Sequence, residues 1–255
     1  MSPLNFVGIP DWRSAVLALI FVAPWIGLLA GGRLRRPWSW GIVALGALLF
    51  PISIAWVQVP IQQGLNALWV SLYPVAILQR FVLLFGAPSI IVSGLVQEVV
   101  KFAIGVAGLY LIKERKTPRA GLAMGAAAGA GYGGMEAFWV FNQIFAAGFT
   151  LGTVQLGGLG ALAGFIERFF TVMFHTGAAS LSTYGYASGR PWRFLLLAIG
   201  LHSLTNYMAL LLQAGVLNTV EMELIIGVIG VATLSAALWI RARLNRASGP
   251  NSGKV

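Results

Sequence analysis

The sequence predicts an all-α bundle of transmembrane helices with seven or eight spans. Of its 255 residues, 58% are hydrophobic and only 9% are charged, and the mean hydropathy is +0.83. Soluble domains are typically about 25% charged. At about 20 residues per spanning helix, seven or eight spans use almost the whole chain. We therefore expect one membrane-embedded domain over residues 1–246 and a disordered, Ser/Gly/Pro-rich cytoplasmic tail over 247–255. The absence of cysteine excludes disulfides, thiolate metal sites and a cysteine nucleophile.

Seven apolar stretches are long enough to cross a bilayer. They cover residues 14–30, 39–59, 89–112, 120–146, 165–186, 193–212 and 222–240. An eighth stretch, 65–85, is interrupted by Pro74 and Arg80. If it crossed fully, basic clusters would face opposite sides of the membrane. We therefore expect it to be re-entrant, interfacial or only partly crossing, which leaves seven full spans. We expect the protein in the cell membrane, with its N-terminus outside the cell and its C-terminus in the cytoplasm.

Four clusters of basic residues supply most of the formal net charge of +10. Each cluster stands at the end of an apolar stretch. The clusters are Arg33, Arg35 and Arg36; Lys113, Arg115, Lys116 and Arg119; Arg190 and Arg193; and Arg241, Arg243 and Arg246. This placement is typical of cytoplasmic loops, where basic residues also attract anionic lipid headgroups. No basic face carries interleaved aromatic residues, so we expect no nucleic-acid partner.

Glycines recur every four residues in the stretch 120–146, at Gly121, Gly125, Gly129 and Gly133. This spacing places them on one helix face, where small residues let a neighbouring helix approach closely. It also places Glu136 beside that tightly packed neighbour. Residues 150–164 contain five glycines and predict a loop or a short helix before the next span.

Ionisable residues stand inside four consecutive predicted spans. These are Glu98, Lys101, Glu136, Glu167, Arg168, His175 and His202, so that three of the seven acidic residues are counted within spans. A charge at the centre of a span costs roughly 2.5–3.5 kcal/mol on insertion scales. Packing does not need such groups, and intramembrane ionisable residues are functional candidates by default.

Helical spacing pairs several of these groups. Glu98 and Lys101 are one turn apart, and His202 shares a face with Asn206. Glu136 has no obvious local cation, so it must be protonated, paired with a histidine or bound to a metal. Carboxylates and imidazoles can activate a water, and an amide can donate to an oxyanion. This set suits hydrolysis of a peptide bond by water inside the membrane.

The order of four motifs resembles the YhfC and PrsW families, within the wider group that includes the CAAX prenyl endopeptidases. The motifs are Gln97-Glu98-Val99-Val100-Lys101; the glycine-rich Gly129–Glu136; Glu167-Arg168 leading to His175; and His202-x-x-x-Asn206. The resemblance covers residues 88–210. It implies an intramembrane protease that cleaves membrane proteins or peptides in the lipid bilayer.

By this resemblance, Glu98 is the water activator and Lys101 occupies the basic position. Glu136, His175, His202 and Asn206 match the remaining catalytic positions, with Glu167 and Arg168 in support. Two positions depart from the pattern. Gln97 stands where a first glutamate is usual, and Thr171 replaces the phenylalanine of the prenyl-protease motif. These departures favour the YhfC-like branch over enzymes of prenylated substrates.

Three alternatives to a metal-free protease remain, namely a metal-dependent protease, a transporter and a catalytically silent scaffold. Glu136, His175 and His202 could hold a divalent metal such as zinc, with water as a fourth ligand. The same glutamates and histidines could also form the relay of a proton- or ion-coupled transporter. A transporter predicts internal repeats with broken helices in corresponding halves, and a silent scaffold predicts polar groups that pair off without a cavity.

Overall fold

The computed structural model describes residues 8–111 and 116–246, and these residues form helices joined by short connections. The helices are α1 Trp12–Ala30, α2 Pro37–Ser53, α3 Val59–Leu72, α4 Val75–Arg80, α5 Val82–Leu111, α6 Pro118–Ala146, α7 Leu151–Gly157, α8 Ala163–Ala187, α9 Pro191–Gln213 and α10 Thr219–Arg246. The all-α prediction is confirmed. Lys113, Arg115 and the predicted tail 247–255 lie outside the described residues.

Six helical segments of the described chain are long and apolar enough to cross a membrane. They are Trp12–Arg35, Pro37–Leu72, Val82–Leu111, Leu151–Ala187, Pro191–Gln213 and Thr219–Arg246. Helix α6, at 29 residues, also has the length of a span, although it is not among these six segments. Its residues 120–134 are all buried, and it packs against α1, α2, α5 and α8. Because α6 is surrounded by protein rather than lipid, it does not need the large apolar side chains of a lipid-facing span, and glycine and alanine can replace them. With α6, seven helical segments of the described chain are long enough to cross a bilayer.

The stretch 65–85 does not form a span of its own. Helices α2 and α3 form one continuous 36-residue helix through a π-helical turn at Ile54–Gln58. At 1.5 Å per residue this helix is about 54 Å long, well beyond the hydrocarbon thickness of about 30 Å. It ends at Leu72, the short α4 follows, and α5 begins at Val82.

The described basic clusters lie at one end of the bundle, which we name the basic end. Arg33, Arg119 and Arg241 line a single cavity there. The Lys116 ammonium lies 3.7 Å from the centre of the Tyr110 ring, and the Tyr110 hydroxyl is 2.5 Å from that of Tyr186, in the last turns of α8. The loop that carries Arg190 follows directly after α8, so this cluster lies at the same end.

The glycine face of α6 packs directly on the backbone of α8. A Cβ atom placed at Gly121 would lie 2.8 Å from the carbonyl oxygen of Thr183, and one at Gly133 would lie 2.9 Å from the Cβ of His175. At Gly125 and Gly129 the nearest atoms are carbonyl oxygens of α8. The predicted close approach is confirmed, and α8 is the neighbour. This packing places His175 beside the turn that carries Glu136.

Replacing Gly129 with alanine is expected to destabilise the protein. The new Cβ would meet the His175 carbonyl oxygen and approach the Cβ of Ala179 to 2.8 Å, so α6 and α8 must separate. Overpacking of this kind costs about 1–3 kcal/mol. Thermal unfolding in detergent measures the loss. Gly64→Ala, where the new Cβ meets open space, is the matched control. If both variants unfold at the wild-type temperature, the two helices do not approach this closely.

Cysteine labelling in this cysteine-free chain tests the topology. Single cysteines at Arg35, Arg193 and Arg243 are expected to react with an impermeant thiol reagent from one face of the membrane, because all three belong to the basic end. Gln213→Cys, at the far end of α9, is expected to react only from the opposite face. Labelling of any of the three arginine positions from the face of Gln213 would refute the seven-span arrangement.

Candidate active site

Four helices bring the ionisable residues predicted from the sequence into one group near the middle of the bundle. Helix α5 carries Glu98 and Lys101, α6 carries Glu136, α8 carries Glu167, Arg168 and His175, and α9 carries His202 and Asn206. His175 is twelve residues from either end of α8, which is about 18 Å from each end at the rise of a helix. The site therefore lies at mid-membrane depth.

Glu98 and Lys101 form the innermost part of the site, and neither side chain has any exposed surface. Lys101 Nζ donates to Glu98 Oε1 at 2.6 Å and lies 2.5 Å from His175 Nδ1. Because an ammonium only donates, His175 Nδ1 accepts, and the proton of the neutral ring lies on Nε2. His202 Nδ1 lies 2.7 Å from the same Glu98 oxygen. The ion pair thus holds both histidines.

Glu136 lies on the other side of His175. Its Oε2 is 2.8 Å from His175 Nε2, and its Oε1 accepts from Arg168 Nη1 at 2.6 Å. Arg168 Nη2 also donates to Glu167. The carboxylate that had no obvious local cation in the sequence is therefore paired across helices with both an arginine and a histidine. Exposure of the side chains rises from 0% at Glu98 to 17% at Glu136 and 27% at Glu167.

Every carboxylate of this group has a cationic partner. Three glutamates face one lysine and one arginine, which leaves one negative charge when both histidines are neutral. Pairing offsets much of the cost of placing these charges in the membrane interior. We name this set, from Glu98 through Lys101, His175, Glu136 and Arg168 to Glu167, the charged network.

A small cavity of about 40 Å³ lies against the charged network. Its polar lining residues are Glu136, Glu167, Arg168, Thr171, His175, His202, Thr205 and Asn206. A water needs about 10–15 Å³ of such space and two to four polar partners. The cavity, which we name the site cavity, therefore has room for a reacting water. His202 and Asn206 both line it, as their spacing predicts.

Glu98 and Lys101 do not line the site cavity. The resemblance predicts Glu98 as the residue that activates the water, whereas in this arrangement Glu98 lies behind the two histidines. Glu136 is the carboxylate that combines a cavity position with a histidine contact. One oxygen of Glu98, Oε2, is buried without a hydrogen-bond partner in the described part of the chain.

The group best placed to hold a metal differs from the predicted one. Ligand atoms of Glu98, His175 and His202 all lie within 4.8 Å of one another. The prediction named Glu136 in place of Glu98. Glu136 instead approaches His175 at Nε2, while Lys101 occupies Nδ1. Helical spacing alone does not reveal which ring nitrogen meets which helix.

Several residues at the site were missed in the sequence. Asn206 Nδ2 donates to Ser93 Oγ at 2.9 Å, and Gln97 Nε2 donates to Ser93 Oγ and to Gln58 Oε1 at 3.1–3.2 Å. Gln97, at the position of the usual first glutamate, thus joins α5 to the π-helical turn. Ser93 lies one turn before Gln97, a spacing that could have indicated it.

Two further features were also overlooked. Lys101 Nζ lies 5.5 Å from the ring centre of Tyr132, whose hydroxyl is 2.9 Å from Ser53 Oγ. The aromatic face adds cation–π stabilisation to the ammonium. Glu223 in α10 is a fourth acidic residue within a predicted span, so the count of three was wrong. Both its carboxylate oxygens are buried and lack a hydrogen-bond partner in the described residues.

The comparison with protein-family models matches one segment of the chain. Residues 150–229 match the family model described as YhfC intramembrane metalloprotease. Over this segment the chain is YhfC-like. The matched segment carries Glu167, Arg168, His175, His202 and Asn206, whereas Glu98 and Glu136 lie outside it. Neither the curated proteins nor the solved structures gave a match. With its apolar helices, the protein is an integral membrane protein.

Proposed function

We propose that this protein is an intramembrane endopeptidase that hydrolyses peptide bonds of membrane proteins or peptides with a glutamate-activated water. The observation that carries the proposal is the convergence of Glu136, His175, His202 and Asn206 on one water-sized cavity at mid-membrane depth. These residues come from three helices, and Glu98 and Lys101 support them from a fourth. The YhfC match, to a family described as intramembrane metalloproteases, supports peptide-bond hydrolysis within the membrane.

Glu136 is the base in this proposal. It takes a proton from the cavity water as the water oxygen attacks the peptide carbonyl carbon, and it then gives that proton to the leaving amine as the carbon–nitrogen bond breaks. Arg168 supplies the opposite charge beside Glu136, and His175 Nε2 lies 2.8 Å from the other carboxylate oxygen. Glu98 acts as a positioning residue through Lys101 and His202.

Asn206 serves the developing oxyanion. The Asn206 amide uses one hydrogen on Ser93, which leaves its second hydrogen for the carbonyl oxygen as that atom becomes negative. His202 donates its Nδ1 hydrogen to Glu98, so the Nε2 of the neutral ring is a hydrogen-bond acceptor toward the substrate. Removing one oxyanion donor typically costs a factor of about 10²–10³ in kcat.

Exchange of the two central glutamates for glutamine separates their roles. Glu136→Gln is expected to lower cleavage by about two to four orders of magnitude, the usual contribution of general acid–base catalysis. Its melting temperature should stay near the wild-type value because Arg168 keeps Glu167 as a partner. Glu98→Gln is expected to lower the free energy of unfolding by about 3–5 kcal/mol, because Lys101 loses its buried carboxylate. Cleavage is expected to fall as well.

The measurement is cleavage of a quenched fluorescent peptide with an apolar span of about 20 residues, co-reconstituted in liposomes. Thermal unfolding is recorded for the same preparations. Glu221→Gln, at an exposed carboxylate at the start of α10, is the matched control and should behave as wild type. An active Glu136→Gln beside an inactive, stable Glu98→Gln would transfer the role of base to Glu98.

A divalent metal fits the donor set of Glu98, His175 and His202. One carboxylate and two imidazoles are common zinc ligands. Glu98 Oε2, which has no hydrogen-bond partner in the described residues, is available to coordinate a metal. A metal held there would supply Lewis-acid polarisation of the reacting carbonyl. The Lys101 ammonium already contacts two of the three ligand residues, at 2.5–2.6 Å. Lys101 thus supplies the positive charge at this position, which supports the metal-free mechanism.

Lys101→Met is therefore expected to increase zinc binding. It removes the competing ammonium and frees Glu98 and His175, while methionine preserves much of the side-chain volume. Zinc per protein after equilibration and desalting, measured by elemental mass spectrometry, should rise from near zero to about one. Lys116→Met at the basic end is the control and should leave the zinc content unchanged. Stoichiometric zinc in wild type that resists chelator would overturn the metal-free proposal.

The rival transporter function receives less support. It predicts broken helices in corresponding halves of the chain, whereas α5, α6, α8 and α9 continue without interruption past the residues of the charged network. Proton-coupled flux in liposomes, together with failure of the wild type to cleave any membrane peptide, would favour the transporter.

A further inference from the structure

A second cavity, of about 270 Å³, lies at the basic end of the bundle, far from the charged network. It is formed where the turn after α1, the start of α6 and the end of α10 meet. Arg119 in its wall is 17 residues before Glu136 on α6, which corresponds to about 26 Å along the helix. We name it the arginine cavity. Its residues play no part in the proposed hydrolysis.

Arginines from separate helices converge on the arginine cavity. Arg119 comes from α6 and Arg241 from α10, and Arg33 and Asn245 also line it. None of the lining residues is acidic. Leu29, Ala30 and Leu122 make part of the wall apolar. The cavity thus combines guanidinium donors with an apolar surface.

Arg119 is held by a backbone hydrogen bond, and Arg241 lies close to the turn after α1. Arg119 Nη2 donates to the backbone carbonyl of Leu244, while Arg119 Nε is buried without a hydrogen-bond partner in the described residues. A Cβ atom at Gly31, where φ is +52°, would lie 2.7 Å from Arg241 Nη2. Glycine therefore permits both the turn after α1 and the approach of Arg241. The site has fixed charges and an unsatisfied donor.

We propose that the arginine cavity binds the phosphate group of an anionic phospholipid. Guanidinium groups match the geometry of phosphate oxygens and bind them with paired hydrogen bonds. Basic pockets between transmembrane helices at the cytoplasmic side are typical sites for such headgroups. The apolar wall and the location at the ends of spanning helices suit the glycerol and acyl portions of a lipid, which a soluble phosphate ion lacks.

The test compares two double variants that lose the same charge. Arg119→Gln/Arg241→Gln removes the cavity arginines, and Arg190→Gln/Arg193→Gln removes two exposed arginines at the same end. Retention of phosphatidylglycerol is measured by native mass spectrometry after release from nanodiscs of phosphatidylcholine and phosphatidylglycerol. We expect the cavity variant to retain at least about tenfold less lipid than wild type, because it loses two guanidinium groups that would form paired hydrogen bonds to the phosphate. The control variant should retain it as wild type does.

Thermal unfolding provides a second readout. Phosphatidylglycerol should raise the melting temperature of wild type and of the control variant, relative to pure phosphatidylcholine, but not that of the cavity variant. Arg241→Gln alone leaves the Arg119–Leu244 bond intact, so it serves if the double variant does not fold. Equal lipid loss from both double variants would overturn the proposal in favour of general surface attraction. If inorganic phosphate in phosphatidylcholine nanodiscs raises the melting temperature as much as phosphatidylglycerol does, the cavity binds free phosphate and the lipid proposal is wrong.

Discussion

The interior of a bilayer offers no water to solvate a charge, so an ionised side chain buried there needs a partner within the protein. Glu98 and Lys101 meet this condition with a 2.6 Å ion pair and no exposed surface. Each member of the pair also contacts a histidine on another helix. The positions of His175 and His202, and with them the shape of the site cavity, depend on this one ion pair.

The glycine face of α6 imposes a second constraint on the same residues. It brings the α6 backbone against α8 so closely that side chains larger than hydrogen have no room at four successive turns. Only at that separation does Glu136 reach both His175 and Arg168. The geometry of the site therefore depends on two features together. These are the ion pair on α5 and the glycine face of α6.

Much of this arrangement could be predicted from the sequence. Hydropathy indicates the spans, the four-residue recurrence of glycine indicates a close helix contact, and the cost of burying charge singles out the ionisable residues. The predicted pair of Glu98 and Lys101 depends only on local helical spacing. These inferences succeed because each uses residues that lie within a few turns of one helix.

The remaining contacts join residues far apart in the chain. Arg168 meets Glu136 across 32 positions, and Lys101 meets His175 across 74. The rotation of each helix about its axis decides that Glu136, rather than Glu98, borders the cavity, and no periodicity reports that angle. For the same reason the metal-capable group contains Glu98 instead of Glu136. The sequence also does not show that the first part of 65–85 continues the preceding helix. The helix Pro37–Leu72 is longer than one membrane thickness, so hydropathy gives no sign of where it ends.

The size of the site cavity has a consequence for how such a protein would work. About 40 Å³ accommodates the attacking water but not a stretch of peptide backbone. A substrate therefore reaches Glu136 and Asn206 only when the helices around them part. If entry of the substrate is the slow step, the turnover rate depends on the lateral pressure and fluidity of the surrounding lipid as much as on the chemical step.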